Sequence, residues 1–592
     1  MIQCLRAHVD RIIGGVSARR LFKAMPTIHF PVPEVPDSGT YKVLKTRKRK
    51  VVTLAIGALR AQETLLESQE DGRVYRSREL QCLAPPRCTF GYDVIVHVGY
   101  ALFVHCRSVQ EIVTELAERN ISISDREISF LGRKFLVYLA LAHRESCRGI
   151  GKAMQRRGGY ILHLDGTCEA DSPHLFSGLD GIAELVLDNV KLPSERADLL
   201  VPFLRRIKRQ YGDPVALVHD MGKGVLIAVE TVFPGKPDFI CHFHFLRDIG
   251  KDLLEEEYRR VRNRLKKHKI RTMLRQMAKR LEKALGTDPE TISSLHAAMK
   301  APEKARLCAL SEMPALAAFA MIHWIFDISA QLNGYGFPFD RPHLIFYHRL
   351  KAIYSLIDRI RQTPLRHAKT LRPLHLLFRS IKQVMDDAAL KASIAQLDDR
   401  VEVFDRLRQA LRIALPDGDN GLNDNGESTD MKNIEGRVRE FRERIISDIA
   451  LSGRDEYKKM LQQIDTYWEK LFADPIAVHT PRGTVLIQPQ RTNNILERLF
   501  RDLKRRARKR TGTISLNKIL KTILPDTPLI KNLDNQEYLD ILLDGCKSLQ
   551  ERFARIDSNR VVTELQKTKV QHGRIPVVLK TIIREPGFPQ MM

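Results

Sequence analysis

Strand-like patterns stop near residue 250 of this chain and do not return for more than 200 residues. Between residues 160 and 250 strand and helix patterns alternate, whereas long helical periodicity dominates afterwards. The 592 residues also exceed the roughly 250–300 residues that one hydrophobic core supports. We therefore expect a multidomain α/β protein in which a large all-α segment interrupts a mixed sheet.

The alternating region predicts four strands and one amphipathic helix. The strands are expected at residues 160–165, 185–192, 214–220 and 238–245. The helix is expected at residues 194–211, where Leu200, Phe203 and Leu204 share one side. Residues 176–181 are expected in a turn, or in a hairpin with the strand at 185–192. A further short strand is predicted at residues 483–488, ahead of a basic helix.

The region before residue 85 predicts a loosely ordered arm followed by a small basic module. Pro31, Pro33 and Pro36 interrupt a weak pattern, which is typical of an arm without regular structure. The basic run Lys45–Lys50 then precedes the β-like residues 51–54, so the module is expected to be rich in strands.

Two capping boxes predict a pair of helices within residues 85–150. Ser108-Val-Gln-Glu111 and Ser124-Asp-Arg-Glu127 place two helix starts 16 residues apart. This arrangement resembles a DNA-binding helix-turn-helix. Its second helix would then contact DNA through Arg126, Arg133 and Lys134. A plain pair of helices in a helical domain is the alternative, and the basic context favours DNA.

Basic residues are clustered along the chain. Lys and Arg number 97 against 71 Asp and Glu, which gives a formal net charge of +26. Residues 259–283 contain twelve basic residues and one acid, and residues 497–510 contain eight basic residues and two acids. Such clusters attract polyanions, and neither has the continuous apolar face of a helix that lies on a membrane. We expect double-stranded DNA as the partner and no membrane association.

Three acidic residues each occupy a setting that suits metal-dependent phosphoryl transfer. Asp165 and Asp220 end predicted strands, and Glu497 lies on the predicted basic helix. Two divalent ions about 3.5–4 Å apart can activate an attacking oxygen and stabilise a leaving one. Mg²⁺ prefers carboxylate oxygens, so two or three acids suffice. Taken singly, each Asp is also typical of a turn, and Glu497 is also a suitable ion-pair partner for Arg501.

The segments around these acids resemble those of DDE transposases, most closely the Mutator-like superfamily of bacterial insertion-sequence transposases. The matching segments are Leu162-His-Leu-Asp-Gly-Thr167, His219-Asp-Met-Gly222, Cys241-His-Phe-His244 and Thr492-Asn-Asn-Ile-Leu-Glu497. The resemblance covers roughly residues 90–515. It implies an RNase H-like core with a helical insertion between the second Asp and the Glu. The order of strands and helices in residues 160–250 agrees with such a core.

The resemblance also implies the chemistry and the residues that perform it. Such enzymes bind the ends of their own element as dimers and use Mg²⁺ to cut and rejoin DNA. By match, Asp165, Asp220 and Glu497 are the catalytic residues and hold two Mg²⁺ ions, for which Mn²⁺ substitutes, with Asp165 bridging the two. Glu169 and Asp171 lie close to Asp165 in sequence and leave the first ligand open.

Cys241 and His244 also match the superfamily. Without a second pair of ligands a zinc site is not expected. If both lie on one strand, positions three apart face different sides. His244 is therefore either a neighbour of the active site or a histidine satisfied within the core.

These observations predict a domain order, a function and a setting. The domains are expected at residues 1–84 (arm and basic β-rich module), 85–150 (helix-turn-helix), 155–250 (first part of the RNase H-like core), 251–480 (helical insertion with a mobile, Gly- and Asn-rich loop at 416–430), 481–515 (second part of the core) and 516–592 (C-terminal helical tail). Further DNA contacts are expected from Arg498, Arg501, Lys504, Arg505, Arg506, Arg508 and Lys509.

The expected protein is a DDE transposase that acts as a homodimer or higher oligomer on element ends and target DNA. A nuclease that cuts without joining, and a domesticated DNA-binding protein without catalysis, are the alternatives. The nine scattered Cys favour a reducing compartment, here the cytoplasm of a bacterium, with the protein associated with the nucleoid.

Overall fold

The protein is described by a computed structural model that covers residues 25–33, 35, 39–285, 293, 296, 302–362, 371–415 and 431–570. The predicted mobile loop at 416–430 lies outside these residues, as do most of the predicted N-terminal arm and the end of the predicted C-terminal tail. The expected mixed α/β composition is confirmed. The chain divides into two compact units, the first made of residues 1–239 and 475–592 and the second of residues 240–474.

The strands, in chain order, are β1 Thr27–His29, β2 Tyr41–Thr53, β3 Gly57–Ser68, β4 Val74–Tyr75, β5 Ile161–Thr167, β6 His174–Asp180, β7 Leu185–Leu192, β8 Ala216–His219, β9 Asp238–Ile240, β10 Ile476–Thr480 and β11 Gly483–Ile487.

The helices, in chain order, are α1 Arg78–Leu83, α2 Tyr92–Gly99, α3 Val109–Glu118, α4 Asp125–Glu145, α5 Cys147–Arg156, α6 Ala197–Tyr211, α7 Lys223–Val232, α8 His242–Lys267, α9 Ile270–Leu285, α10 Glu303–Glu312, α11 Pro314–Phe326, α12 Pro342–Gln362, α13 Arg372–Met385, α14 Ala388–Leu411, α15 Met431–Ser447, α16 Ile449–Ser452, α17 Asp455–Thr466, α18 Trp468–Leu471, α19 Asn494–Thr511, α20 Leu516–Thr522, α21 Gln536–Leu543, α22 Leu549–Arg555 and α23 Ser558–Val570. None of them is long and apolar enough to cross a membrane, within the part of the chain that the structure describes.

A small sheet forms the beginning of the first unit, as the basic β-rich pattern predicted. β3 lies between β1 and β2, and β4 pairs with the far end of β3. β2 and β3 form a long antiparallel hairpin in which Val51 pairs with Leu59. One face of this sheet buries Val51, Leu59 and Ala61 against helix α1 through Leu80 and Leu83.

A five-stranded sheet in the order β7-β6-β5-β8-β9 is the centre of the first unit. β6 is antiparallel to both of its neighbours, and β8 is parallel to β5. The strand predicted at 185–192 is confirmed, and the strands predicted at 160–165 and 214–220 overlap β5 and β8. The short strand predicted at 483–488 is β11.

A predicted hairpin is confirmed, and one predicted strand is wrong beyond Ile240. Residues 176–181 lie mostly in strand β6, which pairs antiparallel with β7, the strand at 185–192. Gly178 permits close packing within β6. A Cβ at Gly178 would lie 2.7 Å from Ile207 Cδ1 of helix α6. The strand predicted at 238–245 ends at Ile240, and helix α8 begins at His242. In an apolar run as short as residues 238–245, the spacing of apolar residues does not distinguish a strand from a helix.

Helix α4 and the C-terminal helices share one hydrophobic core with the five-stranded sheet and with α19. The rings of Tyr138 on α4 and Phe553 on α22 stack with centroids 5.0 Å apart. His143, near the end of α4, is bonded to the carbonyl of Leu187 in β7 at 2.8 Å. Helix α4 thus packs against both the five-stranded sheet and the C-terminal helices.

The second unit is helical between His242 and Asp474, as far as its residues are described. Phe243 on α8 stacks on Phe339 with centroids 4.9 Å apart. Arg341 forms an ion pair with Asp405 of α14 at 2.7 Å. The sequence pattern that excluded strands after residue 250 therefore agrees with this unit.

Candidate metal centre

Strand register brings Asp165 and Asp220 to the same edge of the five-stranded sheet. β5 pairs in parallel with β8 through Ile161 with Ala216 and His163 with Val218, so each residue of β5 faces the residue 55 positions later. The same offset joins Asp165 to Asp220, which follows the last residue of β8. Neighbouring strands lie about 4.8 Å apart. The two carboxylates therefore leave adjacent strands at equivalent positions.

Asn493 ties the start of helix α19 to strand β5. This residue is fully buried and immediately precedes the helix. Its side-chain amide donates to the carbonyl of Leu164 at 2.8 Å, and the Nδ1–H of His163 donates to its Oδ1 at 3.0 Å. Burial lowers the pKa of His163 to about 4, so the ring is neutral in this contact at physiological pH. The helix thus begins beside the residue that precedes Asp165.

Glu497 lies in the first turn of α19, one turn beyond Asn493. A carboxylate oxygen of Glu497 lies within 4.8 Å of one of Asp165. Glu497 and Asp220 are half-buried, whereas Asp165 is only 4% exposed. The three acids predicted from the sequence therefore converge within the first unit.

The electrostatics of Asp165 agree with a site for a cation. Burial raises the pKa of Asp165 well above its ordinary value, and the negative charges of Asp220 and Glu497 raise it further. The Oδ1 atom of Asp165 accepts a hydrogen bond from the Gly166 amide at 2.8 Å, which fixes the orientation of the carboxylate. Gathering three carboxylates around a buried position is unfavourable unless a cation or a proton compensates. Hard carboxylate oxygens are the ligands that Mg²⁺ and Mn²⁺ prefer. The residues present thus fit a divalent ion.

Glu169 and Asp171 are held by other partners. Glu169 accepts a hydrogen bond from the Asn517 amide at 2.8 Å, which lowers its pKa. Asp171 bonds Lys521 Nζ at 2.8 Å and the Asn517 side chain at 2.6 Å. These bonds lower the pKa of Asp171 to about 2. Both acids therefore anchor helix α20, and Asp165 is the one that stands with Asp220 and Glu497.

Glu195 is a fourth acid at this site, and the sequence pattern did not single it out. It lies two residues before α6, and its negative charge also raises the pKa of Asp165. A Cβ at Gly166 would overlap its carboxylate and would lie 2.9 Å from the Phe176 ring. His174 Nδ1 lies 3.0 Å from Glu195 Oε1. In the sequence, Glu195 resembles the acids that are common in the first turn of a helix, so no pattern distinguishes it as part of a site.

The basic residues of α19 divide into two groups. Arg501, Lys504, Arg508 and Lys509 are exposed, and Arg505 is also exposed but pairs with Asp502 at 3.0 Å. Arg498 forms an ion pair with Glu184 at 2.8 Å, and Arg506 pairs with Asp534 at 3.5 Å. Spacings of four, three and four residues place Glu497, Arg501, Lys504 and Arg508 on one face of the helix. An exposed row of cations therefore begins one turn from the third carboxylate.

Both helix starts predicted at residues 108–127 are confirmed. Ser108 and Glu111 form a reciprocal capping box at the start of α3, and Ser124 caps α4. Arg126 is exposed in the first turn of α4, Arg133 is half-buried, and Lys134 is only 7% exposed. A groove-inserted α4 would thus offer DNA mainly its first turn. Its role in DNA binding stays a prediction.

Cys241 and His244 lie at the start of α8 in the second unit. Cys241 is buried immediately before the helix, and His244 is half-buried in its first turn. The two residues do not share a strand, so the argument from the alternating sides of a strand does not apply to them. Their role in catalysis stays a prediction.

No protein-family model matches this chain, and no curated protein matches it. The carboxylate cluster and the cations near it are thus the basis for assigning a function.

Proposed function

We propose that this protein is a DDE transposase that cuts DNA at the ends of its own element and joins those ends to target DNA. The observation that carries the proposal is the convergence of Asp165 on β5, Asp220 after β8 and Glu497 on α19. Their chemical type and their order along the chain both agree with the Mutator-like superfamily that the sequence resembles.

The topology supports an RNase H-like core. Three antiparallel strands, β5 to β7, are followed by α6 and by β8, which pairs in parallel with β5. The first two acids lie at the end of β8 and beside it on β5, where open sheets with parallel strands commonly hold ligands. The helical second unit lies in sequence between Asp220 and Glu497. This position agrees with the helical insertion of the superfamily.

In the proposed mechanism Asp165, Asp220 and Glu497 would hold two Mg²⁺ ions. Bound Mg²⁺ would supply activation of an attacking water or 3′-hydroxyl and neutralisation of charge on the leaving oxygen. The Gly166 amide and the Asn493 contacts hold Asp165 and the Glu497 helix in position. The exposed cations that follow Glu497 along α19 bind the phosphates on either side of the cleaved bond.

The proposed partners are double-stranded element ends and target DNA, bound by a homodimer or higher oligomer in the bacterial cytoplasm. The net charge of +26 favours this class of partner.

The test compares wild type with Asp165→Asn, Asp220→Asn and Glu497→Gln. The substrates are duplexes that carry the DNA flanking the gene, together with a target plasmid and Mg²⁺. We expect each change to reduce cleavage and joining by at least about 10²-fold, because a lost ligand removes several kcal/mol of transition-state stabilisation. DNA affinity should stay within about twofold.

Glu169→Gln is the matched control, because Glu169 anchors α20 and should not affect catalysis beyond a small change in stability. Full activity in any of the three variants would remove that residue from the metal site. If the wild type cuts DNA without joining it, the protein is a nuclease and not a transposase.

A further inference from the structure

The cations of strand β2 fall into two sets with different surroundings. Arg47 forms an ion pair with Glu63, which is 2% exposed, and Arg49 donates to the backbone carbonyls of Ala84, Pro85 and Cys88. Both arginines therefore belong to the face that packs toward α1. Lys48 and Lys50 alternate with them and are exposed. They therefore point to the opposite face of the sheet.

The opposite face of the sheet continues across three strands, and we call it the outer face. In β3, Arg60 pairs with Lys50, and Gln62 pairs with Lys48. In β1, Thr27 pairs with Arg60, and His29 pairs with Gln62. The outer face is thus formed by Thr27, His29, Thr46, Lys48, Lys50, Arg60, Gln62 and Thr64. Each of these side chains is exposed or half-buried.

The outer face carries positive charge and hydrogen-bonding groups without any carboxylate of its own. Lys48, Lys50 and Arg60 form no ion pair with any residue that the structure describes. On the inner face, by contrast, both arginines bond to other residues of the protein. This asymmetry leaves three cations available to an external polyanion.

We propose that the outer face binds duplex DNA in the major groove, with Arg60 and Gln62 contacting base edges and Lys48 and Lys50 contacting phosphates. This assignment rests on the proposed function for its partner, the element ends. β3 is the middle strand, so Arg60 and Gln62 lie along the centre of the face and the lysines lie on a flanking strand. The major groove admits a two-stranded β-ribbon, and the antiparallel hairpin of β2 and β3 carries all four of these residues. Arg pairs with guanine and Gln with adenine through two hydrogen bonds each.

The composition of the outer face favours duplex DNA over other polyanions. Surfaces that bind single strands stack bases on aromatic rings, and none of the eight residues is Phe, Tyr or Trp. The rings farther along this side, Tyr41 and Tyr75, pack edge to face on each other. Side chains cannot enter the deep, narrow major groove of duplex RNA.

The test measures binding of the full-length protein without divalent metal to duplexes of the gene's flanking DNA and to scrambled duplexes, over a range of salt concentrations. We expect Lys48→Gln with Lys50→Gln to weaken both duplexes about equally and to reduce the salt slope by roughly two, one for each lost phosphate contact. Arg60→Ala with Gln62→Ala should weaken the flanking duplex by about tenfold and the scrambled one much less.

The matched control replaces Lys152 and Lys547, two exposed lysines elsewhere on the first unit, with Gln. An equal loss of affinity in this control would overturn the proposal, because bulk charge would then explain the effect. If the variants bind both duplexes as tightly as the wild type does, the proposal is also overturned, while the proposed function stays intact. A wild type that binds neither duplex would refute the proposed function itself.

A second measurement avoids substitutions altogether. Acetylation of lysines in the wild-type protein, read by mass spectrometry, should slow at Lys48 and Lys50 when the flanking duplex is bound, with Lys152 unaffected. Unchanged acetylation at Lys48 and Lys50 in the bound protein would overturn the proposal. Stronger protection by single-stranded DNA or by RNA would assign the surface to that partner instead.

Discussion

At the scale of single residues, Asn493 connects the two parts of the chain that carry Asp165 and Glu497. Asn493→Ala would leave the Leu164 carbonyl and the His163 ring without this buried partner. We expect a loss of about 2 kcal/mol of stability and a fall in metal-dependent cleavage, with DNA affinity preserved. Chemical denaturation and the cleavage assay measure the two effects.

Asn494→Ala is the control, because Asn494 is the neighbouring residue and is only half-buried. Equal losses of activity in the two variants would show that the helix start in general, and not the bonds to β5, sets the geometry.

Asp180 gives the protein a measurable dependence on pH. It is fully buried at the end of β6, and burial raises its pKa to about 6. The folded state then binds more protons than the unfolded state between about pH 4 and 6, so stability falls as pH rises through this window. The rise from the ordinary pKa of an Asp to about 6 corresponds to about 2–3 kcal/mol.

Asp180→Asn removes the titrating group. The melting temperature of the variant should therefore change less between pH 4.5 and pH 7 than that of wild type. Identical pH profiles for the two proteins would contradict the assignment.

At the scale of elements, the exposed face of α19 predicts how DNA affinity depends on salt concentration. Arg501, Lys504 and Arg508 follow Glu497 along one side, so their joint replacement by Gln should weaken binding to every DNA sequence alike. The slope of log affinity against log salt should flatten by roughly one unit for each lost contact, about three in total.

Arg506→Gln is the comparison within the same helix, because Arg506 pairs with Asp534 and donates to the Phe103 carbonyl. It should change the slope little. An unaltered slope in the triple variant would place the DNA path elsewhere.

The strands that carry Asp165 and Asp220 could be predicted, because each is an apolar run that ends at the acid. The pairing of β5 with β8 could not be predicted, since alternation assigns side chains to faces but names no partner strand. Asp165 could not be separated from Glu169 and Asp171 for a similar reason. The partners of those two acids, Asn517 and Lys521, are about 350 residues away in the sequence.

The undecided and misassigned elements have physical causes. The turn and the hairpin at residues 176–181 could not be distinguished, because the pairing of β6 with β7 is a tertiary contact. The start of α8 suggested a strand because its first residues continue the apolar run of β9. Glu195 was overlooked because its relation to Asp165 depends on the packing of α6 against Gly166.

At the scale of the whole molecule, the C-terminal helices are part of the core of the first unit. Phe553 is fully buried and contacts Tyr138 and Phe135 of α4. Phe553→Ala should lower stability by about 3–5 kcal/mol, as is typical when a buried aromatic side chain is removed. The shift of the denaturation midpoint of the full-length protein measures this effect.

Val562→Ala on α23 is the control, because Val562 is 52% exposed and should change stability little. Equal shifts in the two variants would show that the end of the chain contributes through helix formation and not through the core.

The bond between Asn493 and strand β5 has a consequence for protein synthesis. A ribosome that has just added Asp220 must add 277 further residues before Glu497 exists, the difference between 497 and 220. At about 5–20 residues per second, this takes roughly 14–55 s. During that interval the nascent chain holds two of its three carboxylates and lacks the helix that completes the site. Under the proposed function, the catalytic site is therefore incomplete during this interval, and any product truncated before Asn493 lacks Glu497 and should not cut DNA.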